Sequence, residues 1–162
     1  MTSESWEVAT DADEVHAFLL ANDRAAARPG APAPSRNPDS TRRHVAERRV
    51  HLLCRDGIAL GMFTLGPKPP FDPAAAGYGA AASPLYLQRL AVAPAASKSL
   101  AGLKLLRRAI TLAREEGADV VRAETNPRLI EACALLSAAG FVPIAPSTDS
   151  DASVRYVELR LR

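Results

Sequence analysis

Leu85-Tyr86-Leu87-Gln88-Arg89-Leu90-Ala91-Val92, the loop Ala93-Pro94-Ala95-Ala96-Ser97-Lys98 and the stretch from Ser99 to Ala113 decide the fold. The first part is an apolar run suited to a buried strand. The last is a helix with Leu100, Leu103, Leu106, Ile110 and Ala113 on one stripe, while Lys104, Arg107, Arg108 and Arg114 face away. A strand that passes through a short loop into a helix gathers unbonded N–H groups at one point. The helix dipole adds partial positive charge there, so the turn is a seat for phosphate.

Upstream, Trp6–Thr10 alternates like a half-buried strand. Asp11 and Glu14 have capping-box spacing ahead of a helix marked by Val15, Phe18, Leu19 and Asn22, which ends by Pro29. Arg28–Ser40, rich in Pro and Ala, reads as a surface loop, and Thr41–Arg49 as a short basic helix. Val50–Cys54 and Ile58–Leu65 are strands joined by a hairpin at Asp56-Gly57. Gly66–Ser83 has no periodicity, which fits either a lid over a site or a disordered insertion.

Downstream, Gly117 is placed to cap the central helix and Asp119–Thr125 is a strand. Asn126-Pro127 is expected to start a helix whose apolar side is Leu129, Ile130, Cys133, Leu136 and Ala139, ended by Gly140. Phe141–Ile144 is a short strand, Pro146–Ser153 a polar loop, and Val154–Leu161 a closing strand. The order β-α-(α)-β-β-β-α-β-α-β-β, with its hairpins, is a mixed α/β sheet and excludes a fully parallel doubly wound one.

The chain has 162 residues, the size of one domain able to bury a core without staples. A net charge of +2 and a pI near 8.7 fall short of a dedicated nucleic-acid binder. Cys54 and Cys133 lie outside any CxxC or Cys/His spacing and read as buried thiols of a reducing compartment. The polar N-terminus does not look like a signal peptide, and no apolar run reaches the roughly 18 residues of a membrane span. We expect a cytoplasmic protein without a membrane segment. The histidines His16, His44 and His51 are scattered, so no metal site is expected.

Leu90-Ala91-Val92-Ala93-Pro94, followed by Gly102 and Leu105-Leu106, resembles the coenzyme-A motif of GCN5-related N-acetyltransferases (GNAT). Glu124-Thr125-Asn126 and Gly140-Phe141 resemble that family's next strand and helix, and the likeness covers nearly the whole chain. The resemblance implies a single GNAT-like domain over 1–162, an α/β (α+β) fold whose central mixed sheet is splayed between its fourth and fifth strands and flanked by helices. Acetyl-CoA is implied in the opening as co-substrate. Its seat would be Leu90, Ala91, Val92, Ser97, Lys98, Ser99, Leu100, Ala101, Gly102 and Asn126. The family loop reads (Gln/Arg)-x-x-Gly-x-(Gly/Ala). Ser97–Gly102 matches it at Gly102 alone, and Leu100 stands where a glycine lets the backbone approach phosphate closely. Lys98 and Lys104 are expected to supply compensating charge.

The resemblance also places the chemistry. Gln88 is near a position where several members carry a carboxylate base; as an amide it can only hold a water, and it is otherwise a polar strand residue. Tyr86, on the same strand face, either reaches the acceptor pocket or is core with a wet tip. Glu124 is the best-placed base, or a solvated strand carboxylate. Asn126 bonds the pantetheine arm or a water, and can also cap its helix. His44 is a substrate contact or base if its helix lines the acceptor pocket; His16 reads as solvated and His51 as a core histidine. The tyrosine that protonates the leaving thiolate in many members is Leu136 here, leaving Ser137 or a water for that task. The basic run Arg42–Arg49 is a solvated face, an attractor for an anionic acceptor, or a nucleic-acid contact. The function implied is acetyl transfer from acetyl-CoA to a primary amine of a small molecule, with no nucleic-acid partner and a homodimer conceivable through the last strand. The alternative is a degenerate, non-catalytic relative that binds CoA or a protein partner.

Overall fold

A computed structural model describes residues 2–29, 32–144 and 154–161. The expected element order is observed: β1 (Glu4–Val8), α1 (Ala12–Ala26), α2 (Pro38–Ala46), β2 (Val50–Arg55), β3 (Ile58–Gly66), β4 (Pro84–Val92), α3 (Ala101–Glu115), β5 (Val120–Thr125), α4 (Ile130–Ala138), β6 (Val142–Pro143) and β7 (Arg155–Arg160). The strands form one mixed sheet in the order β1-β2-β3-β4-β5-β7-β6, with β4 and β5 parallel. The expected loop Pro146–Ser153 lies outside the described residues. Among the described residues no helix is long and apolar enough to cross a membrane.

The chain divides into two compact units, Met1–Thr64 with Arg89–Leu105, and Leu65–Gln88 with Leu106–Arg162. In the first, β1, β2 and β3 are antiparallel neighbours. Asp56 and Gly57, at φ 50° and 80°, make the β2–β3 hairpin turn that Asp-Gly favours. Val15 and Leu19 of α1, Val45 of α2, Val50, Met62 and Ala91 form one buried cluster. The β2–β3 register slips at Leu53/Cys54, and the Leu60 carbonyl in the slipped stretch accepts from Ala93 N at 2.7 Å.

Gly61 has a packing reason. A Cβ there would sit 2.5 Å from Leu105 Cδ1 and 2.9 Å from the Ala91 carbonyl oxygen. The leucine tip can swing aside; the carbonyl is backbone and cannot. Gly61→Ala is therefore expected to cost about 1–3 kcal/mol, seen as a fall of several degrees in Tm. An unchanged Tm would show that β3, β4 and α3 are not pressed together here.

In the second unit, β5 pairs antiparallel with β7 over its whole length, and β6 pairs with β7. The β4–β5 ladder covers only Pro84–Tyr86 against Val120–Arg122. Leu87 and Gln88 continue β4 beyond it, while Ala123–Thr125 stay paired to β7. The two parallel strands thus part where the expected splay begins.

Several expectations shift. The second helix starts at Pro38 rather than Thr41, because the Asn37 side chain accepts from Asp39 N at 2.9 Å and proline suits the first turn. It ends before Arg48, which has φ 59°. β1 begins at Glu4, and Trp6 remains about one-third exposed on this edge strand. In α3 the buried face is Ala101, Leu105, Leu106, Ala109, Ile110 and Ala113, while Leu100 precedes the helix and is 67% exposed. Gly66–Ser83 is not a disordered insertion. Asp72 caps a tight turn, Ala76 and Tyr78 are buried, and Phe71 packs against Tyr78, Tyr86 and Tyr156.

Asn126-Pro127 does not start the next helix. The Asn126 side chain accepts from Arg128 N at 2.9 Å and its carbonyl from Leu129 N at 2.9 Å, closing a turn, so α4 begins only at Ile130. No residue of α4 is fully buried, and Ile130 is largely exposed. Cys54 is buried, with its thiol pushed up chiefly by desolvation; Cys133 is half-buried. His16 is half-buried rather than solvated, and His51 stacks on Phe63 at 5.0 Å.

Candidate functional site

In the first unit, the strand–turn–helix seat assembles as its residues suggest. Pro94–Ala96 forms a single 3-10 turn, tightened by Ala96 N on Ala93 O and Ser99 N on Ala96 O. The Ser99 hydroxyl donates to Ala96 O at 2.6 Å and accepts from Ala101 N at 3.1 Å, capping α3 from within the loop. The first backbone bond of α3 runs from Lys104 N to Leu100 O. The N–H groups of Lys98, Leu100, Gly102 and Leu103 have no partner among the described residues. Ser97–Leu100 are exposed, so the bend is not closed by its own side chains, and Leu100 extends into solvent. These free donors meet the positive end of a 15-residue helix.

The strand that feeds this seat is held from below and strained. Asn22 of α1 donates to the Val92 carbonyl, a contact that its place in the helix pattern does not signal. Arg89 adopts φ 55° in mid-strand, a conformation that costs an ordinary residue about 1–2 kcal/mol. It interrupts the β alternation immediately before Leu90–Val92, the residues expected to face a thioester. Lys104 does not provide charge to the seat: it binds both carboxylate oxygens of Glu4 at 3.0 and 2.8 Å. The Lys104 and Arg55 hydrogen bonds hold the Glu4 carboxyl below its ordinary value. Lys98 remains exposed in the loop.

In the second unit, Tyr86 is buried and its hydroxyl accepts from Arg122 at 3.2 Å, so its tip is occupied rather than wet. Gln88 donates to the Lys68 carbonyl at 3.5 Å. Glu124, on β5 past the end of the parallel ladder, keeps exposed surface, yet desolvation pushes its carboxyl above the ordinary value. That shift brings a carboxylate nearer to what a general base needs. Asn126 has its side-chain oxygen engaged in the turn described above.

A small cavity of about 100 Å3 lies among Thr125, Cys133, Leu136, Ser137, Phe141, Pro143, Arg155 and Val157. Leu136 and Ser137 thus line the same space, with a hydroxyl beside the leucine that cannot donate a proton. Asp119 clamps the start of β4: it accepts from Ala82 N at 2.9 Å and Ser83 N at 3.0 Å. Burial opposes its charge, but these N–H donors outweigh that and hold it below its ordinary value. Sequence reading missed this clamp, because an aspartate ahead of a strand has many surface uses.

A model described as the Acetyltransferase (GNAT) family matches residues 14–141. Among solved structures, a Salmonella typhimurium protein described as an acetyltransferase, with its cofactor acetyl-CoA, superposes at TM-score 0.70 with 20% identity, over 99% of this chain and 95% of that one. The ribosomal-protein-alanine N-acetyltransferase of Brucella melitensis gives 0.69 with 19% identity, over 97% and 99%. A GNAT-family acetyltransferase of Listeria monocytogenes gives 0.76 with 14% identity, over 98% and 95%. At these identities the structural likeness speaks for the fold. No curated protein gives a significant match.

Proposed function

The chain belongs to the GNAT acetyltransferase family, and from that premise we propose that it transfers acetyl from acetyl-CoA to a primary amine of a small molecule by direct attack. The observation that carries this is the open array of N–H groups at Lys98, Leu100, Gly102 and Leu103. Backbone donors, unlike side chains, survive the departures from the family loop, and the exposed Leu100 side chain leaves them accessible. Acetyl-CoA supplies an activated acyl group as a thioester. The amides of Leu90–Val92 polarise its carbonyl and hold the developing negative charge. Glu124 takes the ammonium proton, directly or through a water held by Gln88 or Asn126. Tyr86, held by Arg122, positions β4. Ser137 or a water returns a proton to the departing thiolate.

Acetyl-CoA at about 100 times its Kd should stabilise the protein by about 2.7 kcal/mol. For a chain of this size that is a rise of about 5–11 °C in Tm. A melting curve that does not move would remove the coenzyme, and acetyl transfer with it. Leu136 favours a second reading, a non-catalytic relative that binds CoA or a protein partner. Binding of acetyl-CoA without thiol release across a broad amine panel would select that one.

A further inference from the structure

One face of β5 and β7, in the second unit, gathers aromatic rings around a carboxylate. The register sets Arg122 opposite Glu158 and Glu124 opposite Tyr156, and residues two apart on a strand share a face. Tyr86 of β4, in register with Arg122 and bonded to it at 3.2 Å, belongs to the same face. The Gly66–Ser83 segment covers it. Its Gly79 carbonyl accepts from Arg122 at 2.6 Å, and its Tyr78 ring lies against the same guanidinium. Phe71 sits among the rings, 4.9 Å from Tyr156 and 5.7 Å from both Tyr78 and Tyr86, centre to centre.

This cover is graded. Arg122, Glu158, Tyr78 and Tyr86 are buried. One register pair further along, Phe71 and Tyr156 are half-buried and Glu124 is exposed. Of the charged side chains on this face of β5 and β7, Arg122 and Arg160 both turn to Glu158, at 2.8 and 3.6 Å. Glu124 has no hydrogen-bond or ion-pair partner among the described residues. Directly opposed residues of an antiparallel pair have Cβ atoms about 4.5–5.5 Å apart, so Glu124 stands beside Tyr156. Aromatic faces attract cations, and a carboxylate adds charge and hydrogen-bond acceptors. An ammonium group satisfies both, and both repel an anion.

We propose that Tyr156 and Phe71 wall the acceptor site beside Glu124, so that the acceptor enters as an ammonium ion with an apolar body and no carboxylate or phosphate next to its nitrogen. Glu124 then takes one ammonium proton and leaves a neutral amine to attack the thioester. That the ammonium belongs to an acyl acceptor rests on the acetyltransferase reading; that an ammonium is held at all rests on the two rings and the carboxylate.

The two are tested separately. Butylammonium, and butanol as its uncharged counterpart, are titrated into the protein while the ring protons of Phe71 and Tyr156 are followed by NMR. Butylammonium should give a saturable shift of both rings that butanol does not reproduce. Tyr156→Leu should weaken that binding by about fivefold, read at Phe71, and Tyr156→Phe should keep it because the ring remains. Thiol release is then compared for butylamine against norvaline and for phenethylamine against phenylalanine. In each pair the amine without a carboxylate should have a kcat/KM higher by about tenfold or more. In Tyr156→Leu the loss should fall on KM for the amine rather than on KM for acetyl-CoA. The absence of a saturable shift, or an equal response to butanol, overturns the ammonium seat. Equal turnover within the pairs, or a Tyr156→Leu loss that falls on acetyl-CoA, overturns the acceptor class while acetyl transfer stands. A saturable shift in a protein that binds no acetyl-CoA, or releases no thiol with any amine, overturns the assignment to an acceptor through failure of the acetyltransferase reading.

Discussion

Replacing Glu158 with alanine should destabilise the protein by about 3–5 kcal/mol, a loss of about 6–20 °C in Tm. Glu158 is 6% exposed and accepts from Arg122 Nε at 2.8 Å; Arg122 is 4% exposed. The same guanidinium donates to the Gly79 carbonyl at 2.6 Å and lies 4.6 Å from the centre of the Tyr78 ring. Tyr78 in turn bridges the carbonyl oxygens of Ala123 and Val157, at 3.0 and 2.8 Å. Removing the carboxylate leaves a charge surrounded by neutral acceptors and aromatic rings, and it is this stranded charge that costs stability. The double variant Arg122→Met with Glu158→Leu should therefore recover most of the loss. If chemical denaturation finds the single variant near wild type, or the double variant no better than the single one, the ion pair does not hold β5 to β7 in the way described.

Glu124→Gln should lower kcat/KM by about 10²–10⁴-fold, because an amide keeps the shape but cannot accept the ammonium proton. The pH dependence gives an independent check. Desolvation raises the Glu124 carboxyl, so activity that needs its ionised form should fall as pH drops through a value above the ordinary 4.5. The variant should lose that acid limb. Stability has the opposite sign. A carboxyl raised in the folded state favours folding below its unfolded pKa, and that contribution disappears as pH rises through the folded one. At neutral pH the variant should thus melt no lower than wild type, which separates a catalytic loss from an unfolding one. A variant with wild-type kcat/KM would move proton removal to a water held by Gln88 or Asn126.

Most of the fold is legible in the sequence. Asp56-Gly57 announces its hairpin because few residues accept two successive positive φ angles, and both adopt them. The element order follows from period and punctuation, which are local. Boundaries moved where a side chain chose between two local bonds: Asn37 capped a helix one turn early, and Asn126 closed a turn instead of opening a helix. In α3 the expected stripe holds at Leu106, Ile110 and Ala113, but Leu100 lies outside the helix and Ala101, Leu105 and Ala109 widen the buried face.

The candidate site was legible only in part. The backbone seat at Ser97–Gly102 follows from strand, loop and helix in succession, whatever side chains they carry. Lys104, read as a charge for that seat, is held by Glu4 a hundred positions away in sequence. Tyr86 and Gln88 look equivalent on one strand face, yet the former is buried against Arg122 and the latter reaches a loop carbonyl.

Local patterning along the chain was enough for the helices, the hairpin, the order of strands and the bare N–H groups ahead of α3, since each depends on residues a few positions apart. Tertiary packing alone settled which charges are neutralised: Arg122 by Glu158, Lys104 by Glu4, and Arg36 by Asp23. Charge pairing depends on distance and burial in space, and a linear sequence states neither.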